Sequence, residues 1–457
     1  MKQLLKIYSL IALLSGLVAM LFIAIPWENL SSKDLTVVVS FLLNGTVWGV
    51  LLFCELSKRA YSLLIIHWLF CFLFFFAIAF TQYMHGVFPW VGSLGHDILL
   101  QTNFILLAWT AVVWVGYKGS FTKNKAEAAA SVGLRIPQWL VLSLTCFTVS
   151  NTVYRVVAIG FSALLARATS VVSYGMESSA AGMFVGHSIQ ALSFFAAVFS
   201  LLAYRQKRRG LLFVMITMTC LLISYFPTSM ARYAAAAIYG GLLLIVFRSL
   251  RSNRLFILSL LGGFLIVLPF LNAFRNTSFL EVNISNVVAN VFHHLEDAWL
   301  SGDYDAYTLL VLVLEHIKFY GITWGMQFVG VLLFWIPRAW WIAKPVGTGH
   351  FITTQAGWYF TNVSAPLPAE GLINLGQGGY LLFALFVGWL MGKLDRSYWK
   401  KAEGSSCNIT SYSILYPVLI MFFFFMNRGD LLSSTAYTMA YVVNWWLLCK
   451  CCQKVKL

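Results

Sequence analysis

Long apolar runs recur from one end of this chain to the other, and they constrain the fold more than any single motif. About 20 apolar residues cross a bilayer core as a helix, and a backbone in lipid must satisfy its own hydrogen bonds. The chain is 60% hydrophobic and 10% charged, with a mean hydropathy of +0.80, which is too apolar for a water-soluble fold. The sequence therefore predicts an all-α polytopic integral membrane protein that forms one membrane domain over residues 1–457.

Hydropathy predicts about twelve membrane-spanning helices, so both termini lie on one side. The predicted spans are Leu4–Pro26, Leu35–Cys54, Tyr61–Thr81, Ile98–Tyr117, Ile136–Val157, Met183–Ala203, Leu211–Phe226, Tyr233–Phe247, Leu255–Leu271, Gly379–Met391, Tyr412–Met426 and Leu431–Cys449.

The Lys and Arg residues orient these spans, because cytoplasmic loops are rich in them. All but nine of the 31 fall on one side, which we assign to the cytoplasm together with both termini. The net charge of +15 therefore reflects topology and does not indicate a nucleic-acid partner. The nine that remain are Lys33, Arg155, Arg167, Arg232, Arg275, Lys318, Arg338, Lys344 and Arg428.

One connection is much longer than the others: residues 272–378 form a predicted external loop, and loops of that length are usually functional. Its apolar runs Ala306–Leu314 and Gly325–Ile336 are too short to cross a bilayer and favour short interfacial or re-entrant helices. Between Leu333 and Pro345 the loop reads LFWIPRAWWIAKP, where an apolar run ends at Pro337-Arg338. Cations outside the positive-inside pattern are candidates for binding an anion.

This loop resembles that of the bacterial oligosaccharide repeat-unit polymerases, the Wzy-type O-antigen and capsule polymerases. The Arg-x10-Gly spacing from Arg338 to Gly349 is similar to one found in some members. The resemblance is clearest over Ile336–Gly392, and elsewhere it is limited to span number, a large late loop and external arginines. The motifs that carry it are Ile336-Pro337-Arg338, Lys344-Pro345, the Ser/Pro-rich stretch Ser364–Pro368, and Gly371–Gly379 leading into a helix.

The resemblance implies a GT-C-like membrane glycosyltransferase, without a cofactor, on the external face of the bacterial inner membrane. A growing glycan would leave its undecaprenyl-diphosphate carrier and join another carrier-linked repeat unit. The implied partners are this lipid-linked glycan and the lipid bilayer. A chain-length regulator is a further partner that the sequence neither requires nor excludes. Two alternatives are an O-antigen ligase and a lipid-linked glycan transporter or flippase, although no internal repeat typical of transporters is apparent.

An anionic diphosphate would explain the arginines outside the positive-inside pattern. A guanidinium offers a fork of donors to phosphate oxygens and stabilises a diphosphate leaving group. The alternative for each cation is a structural role, as a helix cap or as an anchor in the headgroups, and Arg428 also has Asp430 nearby as an ion-pair partner. The predicted diphosphate ligands are Arg338, Arg232, Arg275, Arg428, Lys344 and Arg167.

A catalytic base must also deprotonate the acceptor hydroxyl. The candidates are His350, in GTGHFITTQ, and Glu370, in PAEGLINLG, and the alternative for both is a hydrogen-bonded loop residue. Aromatic side chains can stack on sugars or anchor the protein at the membrane interface. The predicted sugar-stacking residues are Trp340, Trp341, Trp358 and Tyr359.

Two further patterns suggest metal chemistry, but neither supports it well. Neighbouring histidines in the 293–297 segment point to different faces of a helix, so His293, His294, Glu296 and Asp297 cannot easily share one ion. Asp303-x-Asp305 is similar to a motif that holds a metal on sugar nucleotides, which are not expected outside the membrane. We therefore predict no metal and interpret Asp303-x-Asp305 as a solvated turn.

Overall fold

The computed structural model describes residues 25–59, 61–120, 132–165, 180–207, 209–247, 253–263, 267, 270–271, 299–403 and 411–456. These residues are mostly helical, which confirms the prediction of an all-α chain. Six of the described helices are long and apolar enough to cross a membrane, and three shorter apolar helices accompany them. The protein is therefore a helical membrane protein.

The helix boundaries match many of the predicted spans. Of the predicted spans, Leu4–Pro26 lies almost wholly outside the described residues and Leu255–Leu271 lies partly outside them. The elements are, in order, a 3-10 turn Trp27–Ser32, α1 Leu35–Lys58, α2 Leu63–His85, α3 His96–Gly119, β1 Val132–Arg135, α4 Gln138–Ile159, α5 Phe161–Leu164, α6 Ala180–Arg205, α7 Leu211–Ser224, α8 as the consecutive pieces Arg232–Ala235, Ala236–Gly240 and Gly241–Val246, α9 Asn253–Gly262, a 3-10 turn Gly302–Tyr304, α10 Ala306–Tyr320, α11 Met326–Leu332, α12 Thr348–Gln355, α13 Leu367–Glu403, α14 Ser411–Arg428, α15 Leu431–Cys451 and β2 Gln453–Lys456.

Helix α2 is the most deeply buried of the six candidate spans, with 94% of its apolar window inside the protein. Its middle part, Cys71–Ile78, is π-helical. The buried His67 is satisfied on both ring nitrogens: Nδ1 lies 2.5 Å from Asn427 Oδ1, and Trp109 Nε1 donates to Nε2 over 3.3 Å. A buried polar ring with both nitrogens hydrogen-bonded is a stable part of a core.

Helices α3 and α13 approach each other closely through glycine. A Cβ at Gly388 of α13 would overlap the Val113 carbonyl oxygen of α3, and a Cβ at Gly116 would overlap the Leu385 carbonyl oxygen. Small residues that let backbones approach are typical of helix contacts in lipid, where association depends on van der Waals packing. These glycines therefore fix the distance between α3 and α13.

Buried Asp395 joins α13 to three other helices at one end of the protein. Its carboxylate accepts hydrogen bonds from the Leu63 backbone N–H over 3.0 Å, the Tyr117 hydroxyl over 2.9 Å and the Tyr416 hydroxyl over 2.5 Å. Arg59 in turn donates to the Tyr117 hydroxyl over 2.9 Å. Three donors satisfy a carboxylate that is fully buried, so Asp395 holds these helices together.

The long predicted loop contains helices that fold onto the bundle. The apolar run Ala306–Leu314 begins α10, whose first turns are buried, and the second run contains the short α11. Helix α13 begins at Leu367, although the sequence predicts loop up to residue 378, and its backbone leaves the helical conformation at Gly376, where φ is 70°. This break separates a short buried segment that contains Glu370 from the longer remainder of α13.

Candidate functional site

The turn Ser301–Asp305 lies where several distant segments of the chain meet. Gln82 of α2 anchors it by donating to the carbonyl oxygens of Trp299 and Tyr304 over 2.7 and 3.2 Å. Tyr304 points into the protein and is 6% exposed, and burial raises the pKa of its hydroxyl. This anchoring leaves Asp303 and Asp305 on either side of a buried ring.

Arg232, the first residue of α8, forms a bidentate ion pair with Asp303. Its Nη1 donates to Oδ2 over 2.8 Å, and Nη2 donates to Oδ1. Both side chains are less than one-fifth exposed. Paired donors of this kind hold a guanidinium in one orientation.

Arg428, the last residue of α14, forms the second ion pair of this turn. Its Nη2 donates to Asp305 Oδ1 over 3.2 Å and to the Gly302 carbonyl oxygen over 3.4 Å. Its Nε is buried without a hydrogen-bond partner within the described residues. The neighbouring Asp430 does not pair with Arg428; instead its carboxylate accepts from the Ser433 N–H over 2.9 Å and caps α15.

The interpretation of Asp303-x-Asp305 as a solvated turn is wrong. Asp305 is 1% exposed, and its Oδ2 accepts from Trp90 Nε1 over 3.1 Å and from the Ser364 N–H over 3.4 Å. A buried carboxylate needs such partners, and here they come from three separate segments. Spacing within the sequence does not reveal contacts between segments so far apart.

Three aromatic rings form a cluster beside this turn. The ring centroid of Trp90 is 5.4 Å from that of Phe360 and 6.4 Å from that of Trp358. Of the four predicted sugar-stacking residues, Trp358 therefore belongs to the aromatic cluster beside this turn. Trp340 and Tyr359 are 81% and 101% exposed, and Trp341 is half-buried.

Glu370 is 1% exposed and contacts the turn 428–431 between α14 and α15, which we call the Arg428 turn. Its Oε1 accepts from the Leu431 N–H over 2.8 Å, and its Oε2 accepts from the Thr348 hydroxyl over 2.6 Å. The carboxylate therefore joins the start of α12 to the start of α15, and both of its oxygens are engaged. His350, two residues after Thr348 on α12, is exposed.

Arg338 and Lys344 hold their own loop together. Arg338 Nη1 donates to the Lys344 carbonyl oxygen over 2.8 Å, and Lys344 Nζ donates to the Phe334 and Ile336 carbonyl oxygens over 2.6 and 2.7 Å. Burial, and to a smaller extent the charge of Arg338, lowers the pKa of Lys344, which is 4% exposed. Arg338 itself is exposed and keeps a face open to solvent.

The remaining predicted ligands, Arg167 and Arg275, lie outside the described residues, as do His293, His294, Glu296 and Asp297. Among the residues that the structure describes, no group of three or more His, Cys, Asp and Glu is placed to hold a metal ion.

Sequence reasoning missed four residues of the site: Asp303, Asp305, Trp90 and Phe360. The aromatic pair carries no pattern that separates it from the many other aromatics of the chain. Asp303 and Asp305 do carry a signal, since two acids on the predicted external side are natural ion-pair partners for the arginines predicted there. Comparison with protein-family models, curated proteins and solved structures gives no match.

Proposed function

We propose that this protein is a membrane glycosyltransferase that polymerises undecaprenyl-diphosphate-linked oligosaccharide repeat units in O-antigen or capsule synthesis. The observation that carries the proposal is the meeting of Arg232 and Arg428 at one turn, beside an aromatic cluster. The Arg428 side chain is 29% exposed and makes its hydrogen bonds within the described residues through Nη2, so its Nη1 can donate to a phosphate oxygen. In this proposal the chain has twelve spans in a GT-C-like arrangement, with both termini in the cytoplasm and the site on the external face of the inner membrane.

The acidic residues fit an anion site because they orient the guanidinium groups without using all of their donors. Arg428 makes both of its side-chain hydrogen bonds through Nη2, so its Nη1 is available to a ligand. Asp303 occupies the fork of Arg232 with the two-oxygen geometry that a phosphate also offers. A diphosphate that approaches this turn would therefore meet the guanidinium of Arg428, which is already oriented, and that of Arg232, which can exchange Asp303 for a phosphate.

The proposed reaction transfers the growing glycan to a new acceptor. An acceptor hydroxyl oxygen attacks the anomeric carbon of the lipid-linked chain and forms the new glycosidic bond. The bond from that carbon to the diphosphate oxygen breaks, and undecaprenyl diphosphate leaves with the electron pair. Arginines close to the leaving group lower the barrier by stabilising its growing negative charge.

The hydroxyl proton passes to a base, and His350 fits this role better than Glu370. His350 is exposed and lies on α12. The start of α12 is close to the Arg428 turn, because Thr348 contacts Glu370 there. The segment before α13 also meets this turn, since Ala365 N–H donates to the Arg428 carbonyl oxygen over 3.2 Å. Glu370 has both oxygens engaged and no exposed surface of consequence. In this proposal Glu370 is a positioning residue that holds α12 against α15.

The test is the glycan length on cells that lack the gene, complemented with wild type, Arg428→Gln or Lys318→Gln at matched protein levels. Lys318 is an exposed cation on α10, so Lys318→Gln removes the same charge outside the site. We expect a ladder of glycan lengths from wild type and Lys318→Gln, and single capped repeat units from Arg428→Gln.

Two other outcomes would replace the proposal. Long carrier-linked chains that accumulate in the null strain while surface glycan disappears would identify a ligase. Single lipid-linked units that stay on the cytoplasmic side in the null strain would identify a flippase.

A further inference from the structure

Trp90 lies in a strained conformation at the tip of a tight turn between α2 and α3. The turn is closed by hydrogen bonds from Phe88 N–H to the Gly92 carbonyl oxygen, 2.5 Å, and from Gly92 N–H to the Phe88 carbonyl oxygen, 3.0 Å. The φ angle of Trp90 is 72°, in the left-handed region that a bulky residue rarely adopts. Backbone strain of this kind concentrates at functional sites.

The indole of Trp90 is fixed in place although 44% of the residue is exposed. Its Nε1 donates to Asp305 Oδ2, and Gly302 lies so close to the ring that a Cβ there would overlap it. Phe360 and Trp358 lie along the same cluster. A rigid, exposed aromatic surface loses little conformational entropy when a ligand covers it.

The two oxygens of one carboxylate connect Trp90 to Arg428. Asp305 Oδ2 accepts from the indole and Oδ1 accepts from the guanidinium, so the spacing between ring and cation is set by a single buried group. In a lipid-linked glycan the diphosphate is bonded directly to the first sugar. A ligand with its phosphate on Arg428 would therefore hold its first sugars near Trp90.

We infer that Trp90, with Phe360 and Trp358 beside it, is a stacking platform for a pyranose ring of the lipid-linked glycan. The apolar C–H face of the sugar packs on the indole, and the diphosphate lies on Arg428. The inference rests on the proposed function and deepens it, because it assigns sugar recognition to one end of the site and anion recognition to the other.

The experiment measures binding to the full-length protein in lipid nanodiscs with two probes. One probe is undecaprenyl diphosphate, and the other is the undecaprenyl-diphosphate-linked repeat unit extracted from the source cells. The main variant is Trp90→Gly, because glycine accepts the left-handed φ and removes the ring. Trp90→Phe keeps a ring, and Trp324→Gly is the matched control, since Trp324 also has a positive φ of 51° and is 84% exposed.

We expect Trp90→Gly to weaken binding of the sugar-bearing probe by about tenfold, the scale of one aromatic contact, and to leave undecaprenyl diphosphate binding unchanged. Trp90→Phe retains most of the sugar-dependent binding, and Trp324→Gly binds both probes as wild type does. Arg428→Gln weakens the binding of both probes.

Three results would overturn the inference in distinguishable ways. If Trp90→Gly changes the binding of neither probe, the platform is wrong while the proposed function stands. If Trp90→Gly weakens both probes equally, Trp90 acts only by holding Asp305 and Arg428 in place. If neither probe binds the wild-type protein, the proposed function fails and the platform fails with it.

Discussion

Arg232 and Asp303 form a two-pronged ion pair between the start of α8 and the turn that precedes α10. The two residues are 71 positions apart in the chain, and both side chains are less than one-fifth exposed. A pair of this geometry orients a guanidinium more firmly than a single contact does. Two roles of Arg232 can therefore be tested separately: a structural contact with Asp303 and a ligand for an anion.

The first prediction compares Arg232→Lys with Asp303→Asn. Both variants lose the bidentate pair, and we expect each to lower the free energy of unfolding by roughly 1–2 kcal/mol, as measured by thermal unfolding in detergent. Arg232→Lys also loses the fork that binds a phosphate, so we expect donor consumption to fall by about tenfold or more. Asp303→Asn keeps the guanidinium and most of the activity. Equal activity losses in the two variants would assign Arg232 a structural role alone.

The second prediction separates the two candidate bases. In Glu370→Gln the amide oxygen can still accept from the Leu431 N–H, and the amide nitrogen can donate to the Thr348 hydroxyl, which rotates to accept. We expect this variant to stay folded and active, because the proposed role of Glu370 is positional. We expect His350→Gln to stay equally stable, since His350 is exposed. We expect it to lose transfer activity by about 100-fold, the lower end of what a general base contributes.

The activity of Glu370→Gln and His350→Gln is measured as single-turnover transfer of a lipid-linked repeat unit, and thermal unfolding is the control for folding. Glu370→Ala is the companion variant: it leaves the Leu431 N–H unpaired in the interior, and we expect it to cost about 1–3 kcal/mol of stability. A folded but inactive Glu370→Gln would instead make Glu370 the proton acceptor.

Hydropathy predicted the helices well because a helix in lipid depends mainly on a continuous apolar run. The sequence also marked Arg232 and Arg428 as candidate ligands, because both fall outside the predicted cytoplasmic face. Their partners were not marked, because Asp305 and Arg428 are 123 positions apart and nothing local specifies that contact. The start of α13 at Leu367 was missed for a different reason: Gly376 breaks the helix, and the apolar pattern alone begins after that break.

The third prediction concerns the close approach of α3 and α13. Gly388→Ala places a methyl group where the Val113 carbonyl oxygen lies, so the helices must separate. We expect a loss of about 1–3 kcal/mol in unfolding free energy, the usual cost of overpacking. Gly378→Ala on the same helix is the control, because a Cβ there meets nothing within 4 Å. Thermal unfolding of both variants in detergent measures the difference, and equal midpoints would mean that the helix pair adapts freely.

The last prediction uses the pH dependence of Lys344. Its Nζ donates to two backbone carbonyls inside its loop, so Lys344→Met leaves both carbonyls without this donor and we expect a loss of about 1–3 kcal/mol at neutral pH. Burial lowers the pKa of Lys344 below its ordinary value of 10.5. Between the lowered pKa and 10.5, the unfolded chain holds a proton that the folded protein has released. Stability therefore rises with pH across this window.

The measurement is the difference in unfolding free energy between wild type and Lys344→Met at several pH values from 7 up to the ordinary lysine pKa. Taking the difference cancels the titration of other groups that the two proteins share. The advantage of wild type over Lys344→Met is expected to grow as the pH rises, because the cost of burying a charged ammonium disappears while the neutral amine still donates to both carbonyls. An advantage that shrinks with rising pH would mean that the folded loop stabilises the charged form of Lys344, which is what an anionic neighbour of this lysine would produce.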